Sequence, residues 1–227
     1  MAARHQYVAL RTSLPALPAT PFGREALPIS AIRLERRLGD LHPAHREALT
    51  ALERLLDWRH LGKALPTDTY LRRFRAAEPQ LAAHGVLDLV AVPLEMHTVV
   101  AALRRHARGE PAPAAGARWG FGPRLAHMRA HWDEPLLGVG AVFPWLAEAR
   151  NHLQEHRPRE LERLLLGERW RMLARTRRYG HFDFREVARY VLQWRLVAAW
   201  RRYNAEAAGR RLQAGIEQGL GHYRRLF

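Results

Sequence analysis

The stretch GHFDFREVARYVLQWRLVAAW, residues 180–200, has the pattern of an amphipathic helix. Asp183 is followed three residues later by Glu186, which is the spacing of a capping box, so the helix is predicted to begin at Asp183. Its apolar side chains recur every three or four residues, and this period predicts one buried face. The predicted face consists of Val187, Tyr190, Val191, Trp194, Val197 and Ala198. We therefore expect a helix whose aromatic residues pack in a core.

Arginines are expected to lie away from that face or at its edge, at positions 185, 189, 195 and 202. The preceding segment GERWRMLARTRRYGH, residues 167–181, is also basic. On a helix its arginines at positions i, i+4 and i+7 would share one face. Such a face, with further arginines close by, predicts an acidic partner. The candidate partner-binding residues are Arg171, Arg175, Arg178, Arg201 and Arg202.

Outward from this stretch, the chain repeats one pattern: a proline or capping residue, an amphipathic segment and often a glycine. Proline is favoured in the first helical turn, and glycine ends helices. Examples are Pro43 as a start, Thr67 or Asp68 as a cap, and Gly62 and Gly180 as stops. The predicted helices cover residues 28–39, 43–62, 67–78, 92–109, 123–132, 144–156, 158–179, 183–203 and 205–220.

Two segments interrupt this pattern. YVALRTSLPALP, residues 7–18, is followed closely by further prolines, which predicts a short extended arm rather than a helix. GEPAPAAGARWGFGP, residues 109–123, is rich in glycine and proline and predicts a loop or hinge. We therefore expect an all-α fold with two helical lobes and an extended N-terminal arm. The predicted division is an N-terminal lobe at 1–110, the loop at 111–122 and a C-terminal lobe at 123–227.

Composition excludes several classes of protein. The chain has 227 residues and no cysteine, so disulfides, thiolate zinc sites and cysteine nucleophiles are ruled out, which fits a reducing cytoplasm. Its start lacks the pattern of a signal peptide, and no uncharged apolar run approaches the ~20 residues of a membrane helix. There is no phosphate-binding loop around Lys63, the only lysine, and no serine-hydrolase motif. We expect no catalytic residues and no cofactor.

Two histidine pairs have the spacing at which both rings face the same side of a helix: His127 with His131, and His152 with His156. Neither pair belongs to an HExxH motif, and the sequence fixes no third ligand. The nearby acidic residues are Asp133, Glu134 and Glu155. Because the chain has 13 histidines, such pairs are expected by chance, and no metal site is predicted.

The positive charge is concentrated in the last third of the chain. The formal net charge is +15; residues 1–149 hold 19 basic and 14 acidic side chains, and residues 150–227 hold 18 and 8. The preference for arginine over lysine is also what a GC-rich genome produces, so the distribution is more informative than the identity. Arginine binds carboxylates and phosphates, which indicates an acidic protein surface or nucleic acid. No helix-turn-helix or zinc-finger pattern indicates readout of DNA bases.

Three stretches together resemble an uncharacterised bacterial family encoded beside V-type ATPase subunits. Residues 7–18 resemble its aromatic-x-L-x-x-S-L-P start, and PIS at 28–30 resembles its next element. Residues 180–212 resemble its C-terminal helix pair, in which F-D-F-x-x-V leads into an aromatic helix. The resemblance covers roughly residues 7–60 and 140–218. The matching residues of the last stretch are Phe182, Asp183, Phe184, Val187, Tyr190, Leu192 and Trp200.

The resemblance implies a non-catalytic subunit of a bacterial V/A-type rotary ATPase. We infer further that the chain takes the place of the helical socket, called d in eukaryotes, that couples the central stalk to the membrane ring in proton or sodium transport. The implied partners are the stalk and the ring, and the implied location is the cytoplasmic side of the inner membrane. The alternative is a basic helical protein that binds nucleic acid.

Overall fold

The computed structural model describes residues 5–23, 26–56 and 67–223, with the backbone alone for residues 67–68 and 204–223. These residues form nine α-helices and no strand, so the predicted all-α fold is confirmed. None of these helices is long and apolar enough to cross a membrane. The helices are α1 (Val8–Ser13), α2 (Ala31–Leu38), α3 (Pro43–Leu55), α4 (Thr67–Ala83), α5 (Asp88–Ala107), α6 (Leu125–Ala130), α7 (Leu146–Gln154), α8 (Pro158–Arg175) and α9 (Phe184–Tyr223).

Local signals placed several helix starts correctly. Ser30 accepts a backbone hydrogen bond at the start of α2. Pro43 and Pro158 occupy the first turns of α3 and α8. Asp183 Oδ1 accepts the backbone N–H of Glu186 at 3.1 Å, which confirms the predicted cap of α9. The predicted stop at residue 62 and the side chains of residues 67–68 lie outside what the structure describes.

The prediction of an extended arm is wrong for residues 8–13, which form α1. Pro15 disfavours the helical conformation only for the residue before it, and Leu14 is extended with φ −78° and ψ 124°. The proline therefore ends this helix but does not prevent it. Its start is held from a distance, because the backbone N–H of Tyr7 donates to Phe182 O at 2.7 Å.

Two predicted features of the C-terminal region are also wrong. The expected helices at 183–203 and 205–220 form the single helix α9, since no glycine or proline lies between them to interrupt the backbone hydrogen bonds. Helix α8 ends at Arg175, before the expected end at Tyr179. Gly180, with φ +70°, lies in the turn between the two helices and does not terminate either.

The buried apolar residues form two clusters. The first joins α1–α5 to the end of α8 and the first half of α9; the second joins the rest of α5 to α6, α7 and the start of α8. Helix α5 changes cluster between Leu94 and Met96. The clusters therefore draw on both ends of the chain, and the division at residues 111–122 stays a prediction.

Residues 110–124 contain no helix, as expected, but the loop is packed against α5. Thr98 Oγ1 accepts the backbone N–H of Phe121 at 2.7 Å, and Arg124 donates to the buried Glu95 carboxylate at 2.8 Å. A Cβ at Gly120 would overlap the Thr98 side chain. Gly122 has φ +104°, and a Cβ there would lie 2.5 Å from Glu95 Cγ. The two glycines permit this close approach.

Helix α9 has the predicted apolar face, but not the predicted arginine positions. Val187, Tyr190, Val191, Trp194 and Val197 are buried, and Ala198 packs against the first cluster. Arg195 and Arg202 are exposed, as expected. The prediction is wrong for Arg185 and Arg189, which are buried. Acidic residues compensate them: Arg185 pairs with Asp88 of α5, and Arg189 with Glu186 one turn earlier.

Candidate functional site

The predicted arginine face is only partly helical. Arg171 and Arg175 are exposed and lie one turn apart on α8. Arg178 is also exposed, but it follows the end of the helix, so the three residues do not form one helical stripe. Arg171 is paired with Glu168 on its own helix. Whether these residues bind a partner stays a prediction.

The strongest concentration of unpaired positive charge follows Arg171. Residues 175–178, here called the arginine segment, contain Arg175, Arg177 and Arg178, all exposed. In the part of the chain that the structure describes, none of the three side chains forms an ion pair. The Arg177 guanidinium lies 4.6 Å from the ring centroid of Tyr179. Arg175 is favourably placed at the negative end of the α8 dipole, which accounts for one of the three charges.

Other helices surround the arginine segment with further charge. Hydrogen bonds from Arg185 to both carboxylate oxygens hold the pKa of Asp88 below its usual range, and Arg178 lowers it further. Burial lowers the pKa of Arg11 on α1, and Arg189 and Arg177 act in the same direction. The Arg11 guanidinium lies 5.2 Å from the Tyr190 ring centroid. The segment thus lies where α1, α5 and α9 meet.

Arg171 faces a different part of the surface. It lines an open groove of about 590 Å³ between residues 19–22, α7 and α8. Trp170 Nε1 donates to Ala19 O at 3.1 Å and holds the proline-rich turn against α8. Arg163 lies over the Phe22 ring, 5.1 Å from its centroid. The groove carries both aromatic and cationic groups.

Arg202 lies at a cavity of about 460 Å³ between α3, α5, α8 and α9. Arg201, its neighbour, is half-buried, and its Nε has no hydrogen-bond partner among the described residues. Cations and leucines dominate the lining. The residues lining the cavity are Thr50, Glu53, Arg54, Leu56, Leu89, Pro93, Glu162, Leu166, Arg169, Met172, Leu173, Leu192, Arg195, Leu196, Ala199, Arg202 and Tyr203. The predicted partner-binding residues are therefore distributed over three neighbourhoods.

Sequence reasoning missed the buried Arg169 in the cavity wall. Burial lowers the pKa of its guanidinium to about 9, so it is still protonated near neutral pH. The only available signal was its spacing from Leu165, Leu166 and Leu173, which places it on the buried side of α8.

The histidine pairs do not assemble a metal centre in the described ranges, where no group of three suitable ligands occurs. His127 and His131 do stack, with centroids 4.1 Å apart, but their nitrogens contact backbone carbonyls of Gly138 and His127 at 2.9 Å. His156 lies beyond the end of α7, so it does not share a helical face with His152. The expectation of no metal stays a prediction.

A different histidine cluster was not anticipated. The His45 ring stacks on Phe184 at 4.4 Å and contacts His84 edge-on at 4.7 Å. Tyr7 Oη lies 2.6 Å from His45 Nδ1 and accepts the backbone N–H of His42 at 3.2 Å. Tyr7 therefore donates its proton to His45, and Nδ1 of that ring is the acceptor. Burial lowers the pKa of His45, and His84 and His42 lower it further.

Compared with protein-family models, curated proteins and solved structures, the chain has no match in any of the three. The resemblance to the ATPase-associated family consequently stays a prediction that depends on the residues quoted above.

Proposed function

We propose that this chain is a non-catalytic subunit of a bacterial V/A-type rotary ATPase, in which it couples the central stalk to the membrane ring. It acts at the cytoplasmic side of the inner membrane without spanning it. It transmits torque during proton or sodium transport and performs no chemistry. Its partners are the stalk and the ring, and its contacts with them include acidic surfaces.

One observation carries the proposal: the arginine segment presents three exposed guanidinium groups without an ion-pair partner among the described residues. The acidic residues around it are already engaged, since Asp88 binds Arg185 and Glu186 binds Arg189. An additional carboxylate must therefore come from another molecule. Such charges guide association and contribute specificity at an interface.

The architecture is compatible with this role. Helix α9 has 40 residues and is about 60 Å long. A compact chain of 227 residues has an expected radius of gyration of about 17 Å, hence a diameter of about 45 Å. A helix longer than this diameter offers surface for a partner beyond a compact core. The resemblance of residues 180–212 to the family's C-terminal helix pair falls on the same helix.

The experiment is affinity purification from the native membrane with identification of the co-purifying proteins. The test variant combines Arg175→Glu, Arg177→Glu and Arg178→Glu, because Arg171 is already paired with Glu168. We expect it to recover at least about tenfold less of the stalk and ring subunits, since loss of one interfacial charge pair alone corresponds to roughly that factor. A melting curve shows whether the variant is folded.

The matched control combines Arg73→Glu, Arg75→Glu and Arg118→Glu, which are exposed and make the same change in charge elsewhere. It should recover the complex normally. Normal recovery by the test variant would assign the segment to solvent alone. If wild type recovers nucleic acid instead of ATPase subunits, with affinity falling steeply as salt rises, the nucleic-acid alternative replaces the proposal.

A further inference from the structure

The cavity between α3, α5, α8 and α9 has the size and the apolar floor of a small-molecule site. Its volume of about 460 Å³ lies within the ~300–1,000 Å³ of typical ligand pockets. Four leucines that line it are buried: Leu89, Leu166, Leu173 and Leu192. Well-packed interiors hold few voids larger than a water molecule. A cavity of this size is therefore a candidate site for an apolar group.

The charged residues of the cavity favour an anion. Arg54 and Arg202, from α3 and α9, are exposed at its rim, and neither forms an ion pair within the described part of the chain. Arg195, also at the rim, is already bound to Glu35 at 3.0 Å and Glu53 at 2.6 Å. Arginines in the lining outnumber glutamates, which are Glu53 and Glu162. The two rim arginines are thus available to a ligand.

We propose that this cavity binds a free long-chain carboxylate. Its alkyl chain lies against the leucines, and its carboxylate is bound at the rim by Arg54 and Arg202. Guanidinium groups form strong paired hydrogen bonds with carboxylates, and burial of each methylene strengthens binding about fourfold. A nucleotide is disfavoured, because an apolar floor cannot satisfy its sugar and base. This activity does not depend on the proposed ATPase role.

The test is displacement of a dansyl-labelled undecanoate from the purified full chain. Unlabelled dodecanoate, octanoate and dodecanol serve as competitors. Dodecanoate should compete best, octanoate more weakly because fewer methylenes are buried, and dodecanol at least about tenfold more weakly because it lacks the charge. Equal competition by dodecanol, or no saturable binding of the probe, would overturn the proposal.

Two variants locate the site. The double change Arg54→Gln with Arg202→Gln should weaken dodecanoate about tenfold or more and leave dodecanol unchanged. Leu196→Trp, which places a large ring in the cavity, should abolish binding of both. The control Arg72→Gln with Arg118→Gln removes the same charge from exposed residues outside the cavity and should bind as wild type. Wild-type binding by the rim variant with an intact melting curve would refute the proposal.

A lipid surface is the alternative source of an anionic amphiphile. Flotation with phosphatidylcholine vesicles, with and without phosphatidylglycerol, separates the two. We expect no vesicle binding that depends on Arg54 and Arg202. If the rim variant loses vesicle binding while dodecanoate displacement is unchanged, the arginines belong to a membrane contact and the cavity proposal is wrong.

Discussion

Glu186 and Arg189 form an ion pair inside the protein, with side chains only 3% and 5% exposed and a nitrogen–oxygen distance of 2.9 Å. The other carboxylate oxygen of Glu186 accepts the backbone N–H of Arg178 at 2.8 Å. Arg189 also donates to Gln193. This network fixes the arginine segment to the first turns of α9.

Glu186→Gln should lower the free energy of unfolding by about 3 kcal/mol, because it leaves the buried guanidinium of Arg189 without its counter-charge. Urea denaturation measures the change. Glu35→Gln, which removes one of two partners of the exposed Arg195, should cost less than about 1 kcal/mol. Similar losses for the two variants would contradict the structural importance of the buried pair.

Gly120→Ala should destabilise the protein by about 1–3 kcal/mol, because the added methyl overlaps Thr98 on the buried face of α5. The measurement is the urea midpoint at unchanged slope. Gly23→Ala is the matched control, since no atom lies within 4 Å of a Cβ there. Adding Thr98→Ser, which removes the overlapping methyl and retains the hydroxyl that accepts from Phe121, should restore part of the loss. An additive double variant would argue against this contact.

Asp183→Ala should lower the free energy of unfolding by about 1 kcal/mol, because the backbone N–H of Glu186 loses its acceptor at the start of α9. Asp183→Asn supplies another oxygen at the same position and should retain most of the stability. Chemical denaturation of the two variants side by side is the measurement. Equal losses would show that the negative charge, rather than the cap, is what matters.

Stability should fall as the pH drops below about 6.5, partly because of His45. Burial, with His84 and His42, holds the pKa of His45 below its unfolded value, so the unfolded chain takes up protons first. The contribution is complete above the unfolded pKa and is lost as the pH falls through the folded pKa. Protonation also removes the acceptor for Tyr7.

Denaturant unfolding at several pH values tests the role of His45. His45→Gln should be less stable overall but lose less stability over the acidic range, because the variant side chain does not titrate. Some decline should remain, since burial also lowers the pKa of His97 well below its usual value. Parallel stability curves for wild type and variant would show that His45 does not contribute to the acid sensitivity.

Features set by neighbouring residues were predictable from sequence. The starts at Ser30, Pro43 and Asp183 depend on one side chain and the next turn, and the apolar face of α9 follows from a period of three to four residues. The loop at 110–124 was recognisable from glycine and proline, but its close packing on α5 was not. Its glycines are explained by Thr98 and Glu95, more than 20 residues away in sequence.

Features set by distant partners were not predictable. Arg185 is buried because Asp88, 97 residues earlier, binds it, and periodicity alone assigned that position to the edge. Helix α1 is held by Phe182 at the far end of the chain. The cavity was equally inaccessible, since four helices enclose it and each contributes only a few side chains. The exposed arginine segment was anticipated in composition, although not in its non-helical geometry.

The first apolar cluster has a consequence for how the chain is made. Its members include Leu94 of α5 and Trp194 of α9, so the early helices cannot complete their packing until the late one has been translated. The ribosome adds about 5–20 residues per second, and roughly 5–20 s therefore separate the synthesis of these two residues. During that interval the leucine-rich faces of α2–α5 are exposed at the ribosome. Folding is largely post-translational, and the nascent chain is a natural client for chaperones that bind apolar segments.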